Sequence, residues 1–241
     1  MKRREYGFWQ WLAVSLVLPA MKILTKPTWR GQEHLPPGRM ILTPNHVSHF
    51  DPLTVAYFLY VNGRWPRYLA KASLWKVPVM GPFLRKLQQI PVERGSVEAA
   101  RSLDSLVNAL DQGGVVVIYP EGTTTKEPDL WPMRGKTGAA RLALLTGAPV
   151  IPMANWGAQR IFDPRTSKFT FRWRTPVGVI TGPPVDLSKW HGETPSKQVL
   201  EEMTDTIMLA VRDLLTEIRE GDPPPLWEPP SRRGNPPAVT E

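Results

Sequence analysis

His46 and Asp51 stand five positions apart in the run Asn45-His46-Val47-Ser48-His49-Phe50-Asp51. An imidazole beside a carboxylate is a simple device for moving a proton. The carboxylate fixes which ring nitrogen carries the hydrogen and stabilises the protonated ring, leaving the other nitrogen to act as a base. In a regular helix, side chains five positions apart lie about 140° apart around the axis, too far to touch. The pair can therefore cooperate only if a helix starts between them, near Ser48, with His46 on the loop before its first turn. Pro44 and a Ser48 side chain able to cap a helix favour such a break. Other readings stay open. His46 could cap the helix while Asp51 answers its N-terminal dipole. His46, His49 and Asp51 are also three metal-ligand types close together, although no second cluster completes a metal site. Ser48 as a nucleophile lacks the strand and G-x-S-x-G elbow that would present it.

Several elements must position this run. Arg39–Thr43 reads as a short buried strand ending at Pro44, and Pro52–Tyr60 as the helix that follows. Arg67–Lys71 and Gln89–Val92 are short strands separated by a stretch punctuated at Gly81-Pro82. Ser96–Leu110 carries Val97, Ala100, Leu103, Val107 and Leu110 at helical spacing, and Gly113-Gly114 stops it. Val115–Tyr119 is the clearest strand, an unbroken apolar run suited to a sheet covered on both faces. Lys136–Thr146 is a helix closed by Gly147, and Val150–Ala154 is the next strand. Phe169–Arg174 and Val177–Thr181 read as further strands, and Pro195–Arg219 as a long amphipathic helix. Strands alternating with helices give an α/β fold, with a central mostly parallel or mixed sheet flanked by helices. There is no internal repeat. Three regions are expected: an N-terminal membrane-anchoring segment over 1–30, one domain over 31–220, and a proline-rich tail over 221–241. The tail should be ordered only where Leu226-Trp227 finds a groove.

The 241 residues suffice for one core, and 41% of them are hydrophobic, which argues against global disorder. With no cysteine there is no disulfide framework and no thiolate ligand or nucleophile. Thirty Lys+Arg against 22 Asp+Glu give a net charge of +8 and favour an anionic partner. Zinc-finger spacing, an aromatic RNA-binding motif and a dense basic helix are all missing, so nucleic acid is not the expected partner. Met1-Lys2-Arg3-Arg4 precedes an apolar stretch from Tyr6 to Met21, broken by Gln10 and Pro19. As a helix it would be about 24 Å long, short of the roughly 30 Å hydrocarbon core of a bilayer. Trp9 and Trp11 near one end, and Lys22 and Lys26 beyond the other, suit the headgroup level. A shallow interfacial helix is thus the expectation, with a short span, a buried core helix and a secretory signal as alternatives. No small-x-small cleavage site follows.

The run Asn45-His46-x-Ser48-x-x-Asp51 resembles the first sequence block of the lysophosphatidic-acid and glycerolipid acyltransferase family. Ile90-Pro91-Val92-Glu93-Arg94 is similar to its second block, Tyr119-Pro120-Glu121-Gly122-Thr123 to its third, and Ala148-Pro149-Val150-Ile151-Pro152-Met153 to its fourth. A lone H-x4-D is weak, whereas four blocks in order across residues 45–153 are specific.

The resemblance implies transfer of a fatty acyl group from acyl-CoA or an acyl-carrier protein to the free hydroxyl of a lysophosphatidic acid, at the cytoplasmic face of the cell membrane. It implies His46 and Asp51 as the catalytic pair, direct attack without an acyl-enzyme, and neither cofactor nor metal. Arg94, Lys71, Glu121, Gly122 and Thr123 become the candidate substrate-binding residues. Arg94 and Lys71 would bind the acceptor's phosphate, Gly122 allows the close turn after the strand, and Glu121 orients the acceptor or binds loop amides. Lys136 and Gly138 resemble a lysine-x-glycine element before the fourth block. One departure stands out: family members often carry an arginine directly after the Glu-Gly-Thr block, where this chain has Thr124, with Lys126 the nearest substitute. Glycerol 3-phosphate or a glycolipid is the alternative acceptor. A noncatalytic lipid-binding protein of the same fold is the rival reading, against which the intact His46, Asp51, Arg94 and Glu121 count.

Overall fold

The computed structural model describes residues 6–92, 96–219 and 221–228. The basic start at Met1–Arg4 and the second-block Arg94 therefore lie outside the described residues. Seven strands form one sheet: β1 Thr25–Arg30, β2 Met40–Pro44, β3 Pro66–Lys71, β4 Ile90–Val92, β5 Val115–Val117, β6 Val150–Trp156 and β7 Thr175–Thr181. Their order across the sheet is β1-β7-β6-β2-β5-β3-β4. Every pairing is parallel except β6 with β7, so the sheet is mixed. The main helices are α1 Phe8–Leu24, α2 Asp51–Val61, α3 Met80–Lys86, α4 Ser96–Asp111, α5 Gly138–Thr146 and α6 Lys197–Arg219.

The central strands are covered on both faces, which explains their unbroken apolar runs. Side chains alternate along β2. Met40 and Leu42 join Val55, Phe58 and Leu59 of α2 on one face, while Ile41 joins Leu106, Leu110, Leu142 and Ile207 from α4, α5 and α6 on the other. Removing one of the larger buried side chains, such as Phe58, would cost about 3–5 kcal/mol.

Three sequence expectations change. Phe169–Arg174 is not a strand: only Phe169 makes an isolated bridge, to Phe162, and every residue from 165 to 174 is exposed. Its aromatic pattern favours extended chain, and its start bonds back to 161–163, with Asp163 N–H donating to the Lys168 carbonyl at 3.0 Å and Thr170 N–H to the Ile161 carbonyl at 2.8 Å. Among the described residues, however, no strand of the sheet pairs with it. The strand at 115 ends at Val117, although the Ile118 amide still donates to the Leu42 carbonyl at 3.0 Å, and Tyr119 opens the third block. Helix α2 begins at Asp51 with Phe50 as its cap residue, so Ser48 does not cap it. Two elements escaped the sequence reading: edge strand β1, which contains Pro27, and the short helix α3, which carries Pro82 in its first turn. Beyond α6, the Arg134 amide donates to the Trp227 carbonyl at 2.9 Å. The Arg134 guanidinium holds Asp205 through two bonds of 3.0 and 2.7 Å and also reaches Glu228.

Helix α1 packs Ala13 and Met21 inward and leaves Phe8, Trp9, Trp11, Leu16 and Ile23 exposed. No helix among the described residues is long and apolar enough to cross a membrane.

Candidate active site

Strands β2 and β5 are parallel neighbours, and the chain passes from β5 through α5 to β6 on the far side of β2. The connections thus diverge at β2 and β5, and beyond the carboxyl ends of such strands an open α/β sheet leaves a crevice. The first block follows β2 into that crevice, and the third follows β5.

His46 and Asp51 meet there. Asp51 Oδ2 lies 2.9 Å from His46 Nδ1 and also accepts the amides of Val47 at 2.7 Å and Ser48 at 2.8 Å. The carboxylate thus gathers the loop that precedes its own helix. Two backbone donors leave Oδ2 no choice but to accept, so His46 Nδ1 carries the hydrogen and its Nε2 is the basic nitrogen. Asp51 is fully buried and the His46 side chain 13% exposed. Burial raises the Asp51 carboxyl above its ordinary value, against the opposing pull of His46 and the two amides. Asp51 Oδ1 has no hydrogen-bond partner among the described residues.

The His46 backbone is held from both sides by the third block. Its amide donates to Glu121 Oε1 at 2.8 Å, and its carbonyl accepts the Thr125 amide at 2.7 Å. Glu121 Oε2 accepts the Met133 amide at 3.1 Å. Of the two roles left open for Glu121, the geometry shows loop binding. Burial pushes its carboxyl up to about 8, opposed by those two amides and reinforced by the Asp51 charge. Before the pair, Asn45 is locked to Asn155 on β6: Asn155 N–H donates to Asn45 Oδ1 at 2.7 Å, and Asn155 Nδ2 to the Asn45 carbonyl at 2.8 Å. The His46 ring lies 4.3 Å from that of Tyr119, with planes inclined at 31°. Neither Asn155 nor the Tyr119 stacking was among the sequence candidates, and only adjacency to the blocks could have suggested them.

One alternative falls on this geometry. Ser48 Oγ donates to the Phe162 carbonyl at 2.6 Å and accepts the Phe50 amide at 3.0 Å, so it is not presented as a nucleophile. Among the described residues, no group of three His, Asp or Glu is placed to hold a metal ion.

His46 opens onto a groove of about 860 Å³ walled by Lys71, Lys76, Tyr119, Gly122 and Lys136. Lys71 ends β3 and is exposed at the groove. Gly122 adopts φ +71°, and a Cβ there would stand 2.9 Å from Lys136 Nζ. The left-handed backbone is what favours glycine here, while the flexible end of Lys136 could shift aside from an added Cβ. Lys136 was read only as part of a lysine-x-glycine element; the structure sets it in the groove with His46. Thr123 is exposed and does not line the groove. Thr124 is buried, so the site where an arginine was expected carries no cation, and Lys126 is not part of the groove wall. A second, smaller pocket of about 160 Å³ is lined almost wholly by apolar side chains of α1 and α2 with Tyr68 and Leu87, and His46 is not in it.

Comparison with known proteins bears on the family and the fold. A 1-acyl-sn-glycerol-3-phosphate acyltransferase of Bacillus subtilis is 31% identical over 147 residues, covering 61% of this chain and 67% of that protein. One from Borreliella burgdorferi is 28% identical over 153 residues, covering 63% of this chain but only 58% of its own length. The crystal structure of the 1-acyl-sn-glycerophosphate (LPA) acyltransferase PlsC from Thermotoga maritima superposes with a TM-score of 0.58 at 22% identity, over 88% of this chain and 84% of that one, and so shares the fold. The family model described as Acyltransferase matches residues 26–156, more than half of the sequence, and runs from β1 through both loops at the crevice to the end of β6. The chain belongs to that acyltransferase family.

Proposed function

We propose that the chain transfers a fatty acyl group from a thioester of coenzyme A or a carrier protein to the free hydroxyl of a lysophosphatidic acid, yielding phosphatidic acid. The observation that carries this is the His46–Asp51 pair, with Nδ1 tied down at 2.9 Å and the ring lining a cationic groove. The acceptor hydroxyl attacks the thioester carbonyl as His46 Nε2 takes its proton, and Asp51 stabilises the imidazolium. The tetrahedral oxyanion then collapses, the C–S bond breaks, and the imidazolium returns its proton to the departing thiolate. A thioester is already activated, so a base and a positioning site suffice. Lys71 and Lys136, with Arg94, supply positive charge for the acceptor's phosphate. The exposed apolar side of α1 rests at the headgroup level of the membrane and brings the enzyme to its lipid acceptor.

A second acceptor class, a glycolipid or another lyso-lipid, is favoured by the buried Thr124 in place of the expected arginine. An acyl-transfer assay over a panel of acceptors separates the two and tests the chemistry. His46→Ala should nearly abolish turnover with every acceptor. Wild-type-like turnover in that variant would sink the mechanism.

A further inference from the structure

Every residue of the segment from 165 to 174 is exposed. Phe169, Phe171 and Trp173 are 54%, 66% and 67% exposed, a cost that folding alone gives no reason to bear. Between and beside them stand Lys168, Arg172 and Arg174, none of which forms an ion pair or side-chain hydrogen bond among the described residues. From Gly157 to Arg174 there are five cations and one carboxylate, Asp163. That carboxylate already accepts the amides of Arg165 at 2.7 Å and Thr166 at 3.0 Å. Aromatic rings interleaved with unpaired cations match the chemistry of a lipid headgroup layer, where rings sit at the polar boundary and cations meet phosphates.

The segment is tied at both ends to elements already described. At its far end the Arg174 amide donates to the Ile23 carbonyl at 3.0 Å, which joins it to the exposed apolar side of α1 and its flanking Lys22 and Lys26. At its root, Phe162 bridges Phe169, accepts the Ser48 hydroxyl at 2.6 Å, and meets the His49 ring edge-on at 5.7 Å. The same short loop carries His46.

We infer that residues 168–174 form a second membrane contact, an aromatic and cationic wedge that docks into the headgroup layer of an anionic phospholipid bilayer and, with α1, sets the position of His46 relative to the membrane. The inference rests on the reading that the acceptor is a membrane lipid. Its occupant is a bilayer rather than a second copy of the chain because the patch carries uncompensated positive charge. Two copies brought face to face there would set like charges together.

The test uses the full chain with two variants, Phe169→Ser/Phe171→Ser/Trp173→Ser and Lys168→Gln/Arg172→Gln. Partition is measured by co-sedimentation with vesicles of phosphatidylcholine alone and of phosphatidylcholine with phosphatidylglycerol. The aromatic variant should lose about tenfold or more in partition to both vesicles. The cation variant should lose about tenfold on the anionic vesicles and little on the neutral ones. Turnover of a short-chain acceptor dissolved as monomer should be unchanged in both, while turnover of vesicle-embedded acceptor falls with partition. Wild-type partition in both variants would overturn the inference. So would a variant that turns a dimer into a monomer on size exclusion while binding vesicles normally, which would assign the surface to a second copy. If no acceptor is turned over by the wild type, the acyl-transfer reading fails on its own, and the partition measurements still decide the wedge.

Discussion

Replacing Asp51 by Asn isolates the electrostatic contribution of the pair, because the loop dictates how the new side chain must sit. Oδ2 accepts from Val47 N–H, Ser48 N–H and His46 Nδ1. An Asn NH2 in that place would face two backbone donors, so the amide oxygen takes it, and His46 keeps both its orientation and its tautomer. Only the negative charge is lost. With opposite charges about 4 Å apart, an effective dielectric near 20 puts their attraction at about 4 kcal/mol, close to a thousandfold in rate. In the proposed mechanism the imidazolium forms on the way to the transition state, so the loss should fall on kcat, about 10²- to 10³-fold, and leave KM nearly unchanged. Stability should move by less than about 2 kcal/mol. The variant sheds the desolvation cost that raises the Asp51 carboxyl, but leaves an NH2 where Oδ1 had no partner. Steady-state kinetics with a monomeric acceptor, alongside urea unfolding, measures both. A kcat within tenfold of wild type would refute the electrostatic role. A comparable loss of activity accompanied by loss of fold would make Asp51 a structural residue.

Glu121 gives a pH signature. Its carboxyl sits near 8 in the folded protein against 4.5 when unfolded, so between those values the folded state holds the extra proton. Its contribution to stability is complete below about 4.5 and falls as pH rises through 8, by at most about 1.4 kcal/mol per pH unit. Glu121→Gln should remove that slope, and unfolding curves of variant and wild type that run parallel from pH 5 to 8 would contradict it. Gly122→Ala should cost about 1–2 kcal/mol from its φ of +71°. The variant should also raise KM for a phosphorylated acceptor by displacing Lys136, and kinetics with acceptors with and without phosphate would show it. Arg94→Ala should weaken use of phosphorylated acceptors selectively; an equal effect on an unphosphorylated one would remove its assigned role.

Sequence carried the identity of His46 and Asp51 and the condition for their meeting, a helix starting between them. It misplaced that start, because the Ser48 hydroxyl is drawn away to Phe162, 114 positions on, and Asp51 instead reaches back to the amides of Val47 and Ser48. The central strands were legible since both faces are buried and the apolar run is unbroken. Edge strand β1 was not, because Lys26, Pro27 and Arg30 are tolerated only where one side of a strand lacks a partner. At 169–174 local propensity pointed to a strand, but among the described residues only the short return to 161–163 meets it and no strand of the sheet does. The Glu121 contact with the His46 amide, 75 positions apart, leaves no local pattern at all.

That contact also bears on how mutational data for this chain will read. The peptide unit at His46 is stitched to residues 121–125 through both its N–H and its C=O. In a saturation scan scored by product formation, position 121 will therefore rank with 46 and 51, although its carboxylate faces backbone and not lipid. Ranking by activity would merge the reactive group with its scaffold. Amide hydrogen exchange at His46 would separate them: protection should collapse when residue 121 is changed and survive when the imidazole itself is removed.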